Sequence, residues 1–124
     1  MGEERGNMTQ DDVLDVIRTF PFEPLFGKVF ITLNKLDEDG GLVLSDNVLD
    51  DVQYVVAGEI DWRGTKVSPG QKVLIDIEKM MIPVRHEDTN VYESVMQVKI
   101  DPIEVDGAMY ALIEERYIKA KDNR

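Results

Sequence analysis

The chain has 124 residues, 43% of them hydrophobic and 31% charged, a balance that predicts one globular domain with a sizeable core and excludes wholesale disorder. Acidic residues outnumber basic ones 25 to 14, and the formal net charge of −11 argues against a nucleic-acid backbone or an anionic membrane as the main partner, because both would repel it. There is no cysteine, so disulfides, thiol catalysis and cysteine-bound zinc are excluded together.

The first residues, Met1-Gly2-Glu3-Glu4-Arg5, lack the basic and apolar regions of a signal peptide. No apolar run reaches the length of about 20 residues that a membrane span requires. The expectation is a soluble, cytoplasmic domain. Thr9 is placed as an N-cap with Asp12 three residues on, and Val13, Leu14, Val16 and Ile17 form an apolar stripe. This predicts a helix over residues 9–20, ended by Phe20-Pro21-Phe22-Glu23-Pro24, since the residue before a proline is pushed out of helical space. Residues 1–23 thus read as an N-terminal extension packed on the body. The acidic polar face of this helix argues against a membrane-surface role.

From Pro24 onward the pattern changes to strands. Residues 28–33, 54–57, 72–77 (after the Pro69-Gly70 turn) and 95–100 are short β-rich runs. Residues 103–105 and 109–113 read as a hairpin around Asp106-Gly107, a pair suited to a two-residue turn. Short strands with turn signals predict a mainly β fold, a small sandwich or barrel. Between Lys35 and Arg63 there is no basic residue, while acids recur from Asp37 to Asp61. A stretch of one sign resists compaction and stays solvated.

Catalytic chemistry finds little footing. His86 is the single histidine and lies in Arg85-His86-Glu87-Asp88, which reads as a surface loop. Ser45, Ser68 and Ser94 lack a nucleophile elbow or a recognisable base. Asp37-Glu38-Asp39-Gly40 suggests a calcium loop, but setting Gly40 at the turn position places Lys35 at the first ligand, and Gly41 places Leu36 there. Both registers fail. There is no phosphate-binding glycine loop either, so the expectation is a protein that is not an enzyme, with no catalytic residue, metal or cofactor.

Gly40-Gly41-Leu42-Val43-Leu44 lies inside the acidic stretch, between two strands. Two conformationally free glycines precede three apolar side chains, and polar Ser45-Asp46-Asn47 follows. It reads either as a buried strand entered through a turn or as a mobile loop whose tripeptide docks into a partner's groove.

At these residues the chain resembles the chaperonin-10 family, the GroES-like co-chaperonin lids, whose mobile loop carries Gly-Gly followed by an apolar tripeptide. Pro24-Leu25-Phe26-Gly27-Lys28-Val29-Phe30-Ile31 is similar to the family's opening Pro-Leu-x-Asp-Arg-Val pattern. Tyr54-Val55-Val56-Ala57-Gly58 stands at its Glu-Val-x-Ala-Val-Gly strand, and Val67-Ser68-Pro69-Gly70-Gln71-Lys72-Val73 at its Val-x-x-Gly-Asp-x-Val element. Ile118-Lys119-Ala120 resembles the closing Ile-Leu-Ala. With the loop, these are five motifs in the family's order, across most of residues 24–120.

The resemblance implies a GroES-like β-barrel over residues 24–124, with a mobile loop at 34–53 and an enlarged connection at 76–102. It implies a homo-oligomeric ring, a heptamer, that caps an ATP-bound, GroEL-like chaperonin and closes the chamber in which a substrate protein folds. Gly40, Gly41, Leu42, Val43 and Leu44 would bind the chaperonin, and Val29, Ile31, Tyr117 and Ile118 would lie at the subunit interface. The lid catalyses nothing. Residues 1–23 have no counterpart in the usual lid, and the short stretch from Gly58 to Val67 predicts a trimmed roof hairpin. Such divergence suits a virus-encoded lid working in the host cytoplasm. The alternative is a structural ring or adaptor, of a virion or another assembly, that reuses the same fold.

Overall fold

In the computed structural model, the described residues are 7–35, 49–85, 94–98 and 100–122. Helix α1 (Gln10–Ile17) begins at Thr9, whose hydroxyl accepts the Asp12 amide while the Asp12 carboxylate accepts the Thr9 amide. This reciprocal cap satisfies two backbone donors that have no partner within the helix. The strands that follow are β1 (Lys28–Thr32), β2 (Val52–Ala57), β3 (Ile60–Trp62), β4 (Thr65–Val67) and β5 (Lys72–Ile75). A single helical turn, α2 (Ile77–Met80), leads to β6 (Met81–Arg85), β7 (Ser94–Val98), β8 (Asp101–Val105), β9 (Ala108–Glu114) and β10 (Ile118–Lys121).

Six of these strands form one antiparallel sheet in the order β10-β5-β2-β1-β9-β8, and β3-β4 and β6-β7 are separate hairpins. The mainly β fold with a short N-terminal helix is the one the sequence predicts. The sheet is open rather than closed into a barrel, because β10 and β8 each have one unpaired edge among the described residues. Residues 76–102, expected as an enlarged connection, include α2 and the β6-β7 hairpin. The segment between Gly58 and Val67 is itself a hairpin, turned at Arg63-Gly64, where both residues have positive φ.

Alternation along the strands places apolar side chains on both faces of the sheet. Val29, Ile31, Val55, Val73, Ile75, Ala111 and Ile113 build the inner core, with Val67, Ile77 and Met80 packed over it. Phe30, Val56 and Tyr110 point the other way, and Val13 of α1 completes their cluster. Phe20 sets its ring edge-on to Phe30 and to Tyr110, with centroids 5.1 Å apart in both pairs. The extension is therefore a layer of the fold, covering a sheet face that would otherwise be wet. Asp106-Gly107 turns β8 into β9 with positive φ at both positions, as a type I′ turn requires. At Gly58, φ is +104° and a Cβ would come within 2.9 Å of both Pro24 and Val29, so only glycine fits where the β2 exit passes β1.

Val13 is fully buried whereas its neighbour Leu14 is 48% exposed. Val13→Ala is expected to cost about 2 kcal/mol from lost burial and the cavity left behind, and Leu14→Ala less than half of that. Urea unfolding of both variants checks this; equal losses would show that α1 does not seal the outer face.

Candidate functional site

Among the described residues, side-chain hydrogen bonds converge where β1 and β2 part. Beyond Thr32 the chain continues through Leu33, Asn34 and Lys35, and it returns at Leu49, which forms an isolated antiparallel bridge with Lys35. The chain therefore leaves the sheet after Lys35 and rejoins it at Leu49, at one neck. Gly40, Gly41, Leu42, Val43 and Leu44 lie outside the described residues, as does His86.

Gln53 closes the neck from within. Its side chain is fully buried, so each polar atom of its amide needs a partner. Oε1 accepts the Thr32 hydroxyl at 2.8 Å and the Asn34 amide N–H at 2.7 Å. Nε2 donates to the Asn34 carbonyl at 2.9 Å and the Asp50 carbonyl at 2.8 Å. Both donors and both acceptor sites of the amide are in use. Thr32 Oγ1 in turn accepts the Tyr54 amide, and the Asn34 carbonyl also accepts the Asp50 amide at 3.0 Å. The Asp50 carboxylate takes the Val52 amide, turning the returning chain into β2.

The neck is also held from outside. The Asn7 side-chain amide donates to the Lys35 carbonyl at 2.8 Å and accepts the Lys35 N–H at 2.9 Å. The Asn34 side chain accepts the Met8 N–H at 2.9 Å and donates to the Met8 carbonyl at 3.3 Å. No local sequence signal marks Asn7 or Asn34. Gln53 does leave one, as a polar residue in phase with inward-facing Val55.

The four residues expected at a subunit interface separate into two pairs. Val29 and Ile31 are fully buried in the chain's own inner core, and β1 is paired on one side with β2 and on the other with β9. Tyr117 and Ile118 are half-buried where the chain enters β10, at the edge of the sheet. Beside that edge is a groove of about 480 Å³ whose lining includes Ile60, Trp62, Val67, Ile118 and Ala120. Trp62 is exposed, with the Arg63 guanidinium 5.0 Å from its ring centre. At the other end of β1, Leu25 and Phe26 project into solvent, Phe26 with a φ of +57°.

Burial pushes the Tyr110 phenol above its ordinary pKa, and the nearby Asp106 carboxylate adds to the effect, so this side chain stays neutral at physiological pH. Among the described residues, no group of three or more His, Cys, Asp or Glu could hold a metal ion. Nor is any helix among them long and apolar enough to cross a membrane. Comparison with family models, with curated proteins and with solved structures finds no match.

Gln53 generates a pH-dependent prediction. Gln53→Glu keeps the acceptors but turns a carboxyl towards the Asn34 and Asp50 carbonyls, where only its protonated form can donate. Burial and those carbonyls raise its folded-state pKa above the unfolded value of about 4.3. The penalty is therefore smallest below about pH 4.3 and grows as the pH rises through the folded pKa. Urea unfolding of the variant and the parent, each at pH 4 and pH 7, should show the larger difference at pH 7. The same difference at both values would mean that this side chain does not face the two carbonyls.

Proposed function

We propose that this chain is a co-chaperonin lid, which assembles into a homo-oligomeric ring, a heptamer, and caps an ATP-bound chaperonin to close the chamber for substrate folding. What carries the reading is the position of Gly40-Gly41-Leu42-Val43-Leu44 in a segment whose two ends are pinned side by side at the neck, with Lys35 opposite Leu49. A Gly-Gly-apolar element inserted at a single exit from a β body is the arrangement that a docking loop needs. The order of the other motifs along a mainly β chain supports the same reading.

The lid works through differential binding. Burying Leu42, Val43 and Leu44 in a chaperonin groove is worth roughly 5–9 kcal/mol. Ordering about ten loop residues costs on the order of 10 kcal/mol or more, so one loop binds weakly. A ring overcomes this, because once one loop docks the others bind at high effective concentration. Ring assembly would cover the open edge of β10, near Tyr117 and Ile118, since an unpaired strand edge is a template for another chain. The exposed Leu25 and Phe26 and the groove beside β10 are further apolar surface for neighbouring copies to cover. A lid of this kind works in the cytoplasm, the host's if a virus encodes it.

The test pairs integrity with binding. Leu42→Ala, Val43→Ala and Leu44→Asp are each expected to reduce retention by an immobilised, ATP-bound chaperonin at least about tenfold, because a small loss per loop is multiplied around the ring. Circular dichroism and light scattering should match the parent. If Leu44→Asp unfolds the subunit, the tripeptide is a core strand and the docking role fails. A parent ring that no chaperonin retains would favour a structural ring or adaptor.

A further inference from the structure

The extension does more than cover a sheet face. Two consecutive residues, Asn7 and Met8, make four hydrogen bonds to two consecutive residues of the neck, Asn34 and Lys35. The Asn7 amide serves both backbone polar groups of Lys35, and the Asn34 amide serves both of Met8. Each amide presents a donor and an acceptor side by side, as a neighbouring strand would. Lys35 is held on its other side by its bridge to Leu49, and Asn34 by Gln53. The neck is thus gripped from inside by Gln53 and from outside by the extension.

The outer grip is itself anchored. Directly after Met8 the chain enters the reciprocal Thr9–Asp12 cap, and one turn later Val13 is buried against Phe30, Val56 and Tyr110. The Gln10 side chain donates to the Gly70 carbonyl at 3.1 Å, tying the first turn of α1 to the loop before β5. Asn7 and Met8 therefore reach the neck from a rigid support rather than from a free end.

We propose that residues 7–8 are a strap that fixes the course of the chain at Asn34 and Lys35, where it leaves β1, and that Asn7 and Asn34 are positioning residues for chaperonin docking. The docking role rests on the lid reading; the strap itself does not. Holding Asn34 and Lys35 in one arrangement leaves less freedom to be lost at the neck on binding, so the strap raises affinity by pre-organisation without touching the chaperonin. Asn7 is exposed, so losing its side chain leaves both cores intact. Its chemistry is specific, because an aspartate there could still accept the Lys35 N–H but would set a negative charge against the Lys35 carbonyl.

The experiment compares full-length parent, Asn7→Ala and Asn7→Asp by amide hydrogen exchange and by dissociation from an ATP-bound chaperonin. Asn7→Ala should speed exchange of the Lys35 amide about tenfold, leave the Val55 and Ile113 amides and the melting temperature unchanged, and speed dissociation about fivefold. Asn7→Asp, which keeps the acceptor, should exchange at an intermediate rate at Lys35. Unchanged exchange at Lys35 overturns the strap. Faster exchange with unchanged dissociation overturns the positioning role. If the chaperonin does not retain even the parent, the lid reading and the docking role fall together, while faster exchange at Lys35 would still establish the strap.

Discussion

The fold depends on one buried amide. Where β1 and β2 diverge, the Asn34 carbonyl still takes the Asp50 amide, but the Asn34 N–H and the Asp50 carbonyl need other partners. Gln53 supplies them, and in doing so uses its own four hydrogen-bonding positions. A buried polar side chain is costly unless every position is filled, and such a network, once filled, specifies a single arrangement. The β1-β2 register already shifts between Phe30 and Ile31, so this pairing needs a fixed point, and Gln53 is placed to be one. The course of the chain at Asn34 and Lys35 and the seat of Asn7 and Met8 both follow from it.

The second constraint is that the sheet is apolar on both faces. The inner face is covered by chain from the body, including Val67 on β4 and Ile77 and Met80 on α2. The outer face over Phe30, Val56 and Tyr110 has α1 and Phe20. This is why the extension cannot be an ornament, and why its last residues before the helix are available to brace the neck. Both edges carry charges that discourage pairing, Asp101 and Glu104 with Pro102 on β8 and Lys119 and Lys121 on β10, but β10 also lies beside an apolar groove. Of the two, β10 is the better suited to accept a neighbour.

Local chemistry was legible in the sequence. Thr9 with Asp12 announced the cap, Asp106-Gly107 announced the turn, and the alternating runs marked β1, β2, β5, β7, β8 and β9 to within a few residues. The helix ends at Ile17, short of the expected residue 20, because Phe20 leaves the helical path to pack edge-on against Phe30 and Tyr110. Strands β3 and β4, three residues each, carry no strand signal of their own, and only the resemblance implies a hairpin there, while β7 is marked by its alternation but its partner β6 is disguised by Pro83, which a two-stranded ribbon tolerates. The burial of Val29 and Ile31 within their own chain could not be read locally, since it depends on β1 having a neighbour on both sides. The amide contacts of Asn7 and Asn34 join residues far apart in the chain, and no periodicity encodes them.

A body braced at the neck, with β10 unpaired on one side among the described residues, is suited to holding the two ends of an inserted segment together and to joining copies of itself. The proposed lid needs both, and it needs no catalytic group. The most direct measurement is refolding of a chaperonin-dependent substrate by a chaperonin ring and ATP, with this chain as the sole lid. The account predicts that the yield of active substrate rises well above that of the chaperonin with ATP alone. A yield unchanged by the chain, at concentrations where it is an intact ring, would contradict it.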